Sequence, residues 1–140
     1  MKPIYLLAFA PLIAGGCSHS LQGLKVRAQA PLMDEAFRKL SLVLRMDDYE
    51  MESIDPKAFR LETRWRRIKE REAEKKSADS ALVRIALRLE PRGLLYDVFL
   101  TPFVRSGQNN EVVPEPGHPL FQKWQRVLNE ILVREQREED

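Results

Sequence analysis

The sequence predicts an α+β domain: a four-stranded antiparallel sheet with two helices packed on one face, in the order α-β-β-β-β-α. Three observations predict it. Two segments repeat apolar residues at three- and four-residue steps, the mark of one-sided helices. Between them two pairs of segments alternate apolar and polar residues, each pair joined by a turn containing proline. Both helical stripes are apolar on one side only, so a single sheet face covers both and leaves its other face polar.

The first helix is read from Leu32, Met33, Ala36, Phe37, Leu40, Val43 and Leu44. Pro31 suits its first turn, Asp34 and Glu35 favour the positive end of its dipole, and it ends near Met46. Period two follows. Tyr49, Met51 and Ser53 alternate with Glu50 and Glu52, Asp55-Pro56-Lys57 turns the chain, and Phe59, Leu61 and Trp65 are expected to face the core. In the second hairpin Val83, Ile85, Leu87 and Leu89 alternate with Arg84, Ala86, Arg88 and Glu90; the turn is Pro91-Arg92-Gly93. The return strand, Leu94 to Val104, is apolar on both sides and is expected either in the middle of the sheet or under a loop. Ile68 to Ser80 reads as a solvated connector and Arg105 to Pro119, with three prolines, as a long loop. Leu120, Phe121, Trp124, Val127, Leu128, Ile131 and Leu132 make the stripe of the last helix.

The N-terminus carries a different signal. Lys2 precedes an apolar run from Ile4 to Ile13, about the 7–15 residues of a signal-peptide core and short of the roughly 20 that span a bilayer. Ala14-Gly15-Gly16-Cys17 resembles the lipobox of bacterial lipoproteins, which implies cleavage between Gly16 and Cys17 and acylation of Cys17, the only cysteine. Ser18 after it implies sorting to the outer membrane, with the domain on the periplasmic face. The organisation is therefore residues 1–16 signal peptide, 17–30 lipidated tether, 31–134 one domain and 135–140 polar tail. Lys and Arg number 23 and Asp and Glu 21, interspersed, so no bulk charge draws the chain to nucleic acid. The expected partners are membrane lipid, through Cys17, and an outer-membrane or periplasmic protein; no small-molecule substrate is expected.

Catalytic chemistry is not announced, and a small envelope enzyme is the less favoured alternative to a binding protein. His19 lies in the tether and His118 leads into the last helix; neither has metal-ligand spacing to another donor, so no metal and no cofactor is expected. Serines lack an elbow motif and glycines lack a phosphate cradle. Asp47-Asp48 and Glu50-Glu52 are read as solvating a helix end and an exposed strand face, not as paired acid and base. The candidate binding face is formed by Arg60, Arg64, Arg66, Arg84 and Arg88, on alternating positions of neighbouring strands, where guanidiniums can hold carboxylates or phosphates bidentately. Charge pairing with Glu62 and Glu90 is the competing reading.

With a lipobox, a helix, and then the run from Asp48 through Asp55-Pro56-Lys57 to Arg64-Trp65, the chain resembles the helix-grip lipoproteins related to BamC of the outer-membrane protein assembly machine. That resemblance implies a non-enzymatic envelope lipoprotein that binds other proteins. The layout is also similar to LptE-like lipoproteins of the lipopolysaccharide translocon, in which a strand precedes the first helix, as Leu24 to Ala28 does if extended, and to secretion pilotins.

Overall fold

The two helical stripes meet on one side of a mostly antiparallel open sheet in the computed structural model, which describes residues 23–72, 81–106 and 111–134. The elements are β1 (Leu24–Ala30), α1 (Met33–Met46), β2 (Met51–Asp55), β3 (Arg60–Thr63), β4 (Arg66–Arg67), β5 (Ala81–Arg92), β6 (Leu95–Ser106), α2 (Pro119–Ile131) and β7 (Val133–Arg134), with a short 3₁₀ turn at Glu70–Glu72. The sheet runs β2-β3-β5-β6-β1-β7, with β4 also on β5.

The α+β class stands; the four-stranded count does not. Among the described residues the sheet has seven strands, and a strand comes before the first helix. β1, assigned to the tether, lies between β6 and β7 and buries Val26 and Ala28. Its alternation rests on one valine and one alanine, a weak signal, and the two-residue strands β4 and β7 are too short to show any period. At the head of β1 the backbone grazes β6: a Cβ on Gly23 would lie 2.5 Å from the Leu100 carbonyl oxygen, so only glycine fits.

The helices follow their stripes. α1 buries Ala36, Phe37, Leu40 and Leu44, and ends at Met46 as predicted. α2 buries Leu120, Phe121, Trp124 and Leu128; Pro119 opens it, and His118 is its N-cap, its Nδ1 accepting the Leu120 N–H at 3.1 Å. Odd positions of β5 and even positions of β6 complete the core beneath them. β6 is interior to the sheet, the first of the two placements its apolar sides predicted.

Three local expectations change. The β5–β6 turn is Gly93-Leu94, two residues past the expected start at Pro91, with Gly93 at φ +64°, first of two turn residues, where a type II′ hairpin calls for glycine. Arg105 belongs to β6, and Val104 bridges Val112, so the loop begins later than expected. Ile68 and Glu72 are buried, so the first part of the polar connector is packed against the domain. Gly16, Cys17, His19 and the tail 135–140 lie outside the described residues. Among the described residues no helix is long and apolar enough to cross a membrane.

Candidate functional site

The five arginines do not share a face, and a single extra residue is the reason. β3 pairs with β5 in the register Leu61↔Leu87, whereas β4 pairs with it as Arg66↔Val83, one residue out of step. A one-residue slip exchanges the two faces of a strand. Thr63 repairs the ladder at the slip: its hydroxyl accepts the Ile85 N–H at 2.9 Å and donates to the Arg64 carbonyl at 3.0 Å. Trp65, expected in the core, therefore lies on the open face, and Arg66, expected there, points under the helices.

Beneath the helices Arg66 becomes the centre of an ion cluster. Its guanidinium donates to both oxygens of Glu72 (3.0 and 2.8 Å) and to Asp47 (3.0 Å), and it stacks 4.1 Å from the Tyr49 ring. Lys123, from α2, donates to Asp47 at 2.7 Å and Glu72 at 2.5 Å, and Lys69 reaches Asp47 at 3.1 Å. Asp47, expected to be merely solvated, is thus a shared acceptor. Burial opposes the Glu72 charge, but the hydrogen bonds from Arg66, Lys123 and the Lys69 N–H outweigh it and bring its carboxyl down to about 2. The Tyr49 hydroxyl, desolvated by burial, is pushed well above its ordinary value.

The open face keeps Arg60, Arg64, Arg84 and Arg88, and adds residues that sequence reasoning missed. Arg88 faces Phe99 across β5 and β6 and lies 4.1 Å from the ring; Arg84 faces Phe103 at 4.3 Å and is 5.5 Å from Trp65. Arg105 covers the other part of Trp65 at 4.4 Å, and Lys25 of β1 is 5.6 Å from Phe99. Cationic side chains thus rest on a row of aromatic shelves, an arrangement that fixes the guanidinium planes while leaving N–H edges for an anion. Only the register of β5 against β6 could reveal it; the aromatic positions themselves were visible as the odd residues of the return strand.

Carboxylates compensate this face only in part. Arg84 pairs with Glu111 (3.1 Å) and approaches Glu62 (3.7 Å), Arg88 with Glu90 (2.8 Å), and Arg64 with Glu52 (3.1 Å). Asp97, 2% exposed, serves both Arg27 (3.0 Å) and Arg92 (3.1 Å); burial opposes its charge, but Arg27 and Arg92 hold its carboxyl below the usual range. Among the described residues no acid pairs with Arg60 or Arg105, and the Arg105 Nε, like the Arg66 Nε in the cluster, is buried without an acceptor. Arg60 also stands directly opposite Arg88, a like-charge cross-strand pair of the kind that destabilises a sheet. Both border a concavity of about 430 Å³ floored by Ala86 and Phe99, with Ser53 and Thr101 at its sides. No group of three His, Cys, Asp or Glu side chains among the described residues is placed to hold a metal ion.

Compared with known proteins, the chain matches no family model and no curated sequence at a significant level.

Proposed function

We propose that this chain is a lipid-anchored accessory protein of envelope assembly, held through acylated Cys17 at the periplasmic face of the outer membrane and acting by protein contacts rather than catalysis. The run ending in Ala14-Gly15-Gly16-Cys17 supports the anchor. The observation that carries the binding role is the open sheet face, where Arg60 and Arg105 lack acidic partners among the described residues and the flanking arginines are preoriented on Phe99, Phe103 and Trp65. Such a face fits an acidic surface on a component of the outer-membrane protein assembly machine, as in the BamC-like reading. Confinement by the lipid raises the effective concentration of the domain near membrane-bound partners, so individually modest arginine contacts suffice.

A second reading, an LptE-like lipoprotein of the lipopolysaccharide translocon, is favoured by one observation: a strand, β1, precedes the first helix and takes a place in the sheet. The same guanidiniums would then meet lipid A phosphates. Crosslinking the native lipoprotein to its neighbours separates the two, because assembly-machine subunits and translocon barrels are different proteins. With Arg60→Ser and Arg88→Ser together, those crosslinks are expected to disappear while the anchor persists; unchanged crosslinks would leave the face without a role. Cys17→Ser is expected to accumulate as an unprocessed precursor that takes up no palmitate, and normal processing without lipid label would remove the anchor from the proposal.

A further inference from the structure

A second surface lies between α1 and the β2–β3 hairpin and shares only Ile54 with the concavity of the open sheet face. There Phe37, Ser41 and Leu42 of α1 and Ile54, Pro56 and Phe59 of the hairpin enclose a groove of about 590 Å³. Its lining is mostly apolar and yet accessible: Leu42 is 55% exposed and Ile54 39%.

Phe59 is held there against its own preference. Its φ of +56° is in the left-handed region, which a bulky side chain rarely adopts. The conformation is imposed by backbone hydrogen bonds on both sides of the residue, Phe59 N–H to Pro56 at 3.3 Å and Leu89 N–H to the Phe59 carbonyl at 3.0 Å. Its ring stands edge-on to Phe37, 5.9 Å between centroids, and so forms one wall of the groove. Strain of this kind persists where surrounding structure overdetermines it, and it gathers at binding sites.

Charge on the lip is uncompensated. Arg38 and Arg45 are exposed, and neither pairs with an acid among the described residues, whereas their neighbour Lys39 is bridged to Glu35. Seven residues apart, the two arginines sit on the same side of α1, about 10 Å from one another along the axis. Asp34 is the single acid on the lining.

The edge strand beside the groove decides the form of the occupant. β2 ends the sheet, but its register breaks between Met51 and Ser53, and Glu50, Glu52 and Asp55 lie along it. A bulge and charges are the devices by which edges refuse an added strand. The free surface is therefore the helix side, where the spacing of Arg38, Leu42 and Arg45 matches another helix.

We propose that this groove docks an amphipathic helical segment of a partner protein, one that seats large apolar side chains against Leu42, Ile54 and Phe59 and sets carboxylates two turns apart over Arg38 and Arg45. The proposal uses none of the open-face arginines, so either can fail alone. The probe is a helical peptide with Glu at positions i and i+7 and Leu-Phe at i+3 and i+4, added to the isotopically labelled full chain in detergent micelles. It is expected to shift the methyl resonances of Leu42 and Ile54, and a peptide with Lys in place of both Glu is expected to bind about fivefold to tenfold more weakly. Arg38→Glu with Arg45→Glu is expected to reverse that order. If that variant does not fold, Arg38→Gln with Arg45→Gln is expected to make the two peptides equal. Equal binding of both peptides to the unmodified chain overturns the proposal, as do shifts confined to the open face. So does a concentration-dependent shift of Leu42 and Ile54 without peptide, since a second copy would then fill the groove.

Discussion

The ion cluster beneath the helices and the arginine row on the open face are built from the same parts, guanidiniums, carboxylates and aromatic rings, and they differ in how completely the charges are matched. In the cluster Arg66, Lys69 and Lys123 converge on Asp47 and Glu72, and Glu72 accepts from two side chains and one backbone N–H. On the face, Arg60 and Arg105 have no acidic partner among the described residues, and the partners of Arg64 and Arg88 are as exposed as the arginines themselves. Charges satisfied inside a protein hold its elements in place; charges oriented at a surface but left unsatisfied are free to hold something else.

The sharpest way to break this contrast is at Glu72. Glu72→Ala leaves Arg66 and Lys123 to share Asp47 alone, and is expected to cost about 3 kcal/mol, measured by denaturant unfolding; a loss below about 1 kcal/mol, the size of an exposed pair, would show the cluster to be no more structural than the face.

Acid should reproduce much of that effect without mutation. The Glu72 carboxyl has its folded value lowered to about 2, so between the ordinary carboxylate range and that value the unfolded chain binds the extra proton. Its contribution is complete above about pH 4.5 and is lost as pH falls toward 2, on the order of 3 kcal/mol in all. Asp97, also lowered, adds loss of the same sign. Unfolding free energies measured down the acid limb should fall less steeply in Glu72→Ala than in the unmodified chain; parallel curves would remove Glu72 from the titration.

The smallest effect is expected on the face. Arg60→Gln deletes a cation that stands opposite Arg88 and has no acid of its own, so stability should stay within about 0.5 kcal/mol of the original or rise slightly. A thermal melt checks it. A clear destabilisation would mean that Arg60 is part of the fold rather than poised for a ligand.

Within the binding set, legibility followed distance in sequence. Arg60, Arg84 and Arg88 could be placed because each sits inside a strand whose own alternation is visible, and Arg64 directly follows β3. Arg66 could not, because the slip between β3 and β4 is a relation to β5, and nothing in Arg64-Trp65-Arg66 marks it. The aromatic shelves were hidden for a similar reason: Arg84 finds Phe103 and Arg88 finds Phe99 only through the β5–β6 register. Glu72, in a segment that looks wholly polar, owes its burial to Lys123, 51 residues away.

By itself the sequence determined what periodicity and turn chemistry decide locally: two one-sided helices, the long β5–β6 hairpin, His118 at the entry of the last helix, and the α+β class that must bury both stripes together. Such signals arise within a few residues, from side-chain direction and backbone sterics, and need no partner to be read. Tertiary structure alone decided the seven-stranded order with β1 inside it, the exchange of Trp65 and Arg66 between faces, and which arginines are matched. Those depend on which strand lies beside which, and pairing energies between distant segments leave no imprint on the local pattern.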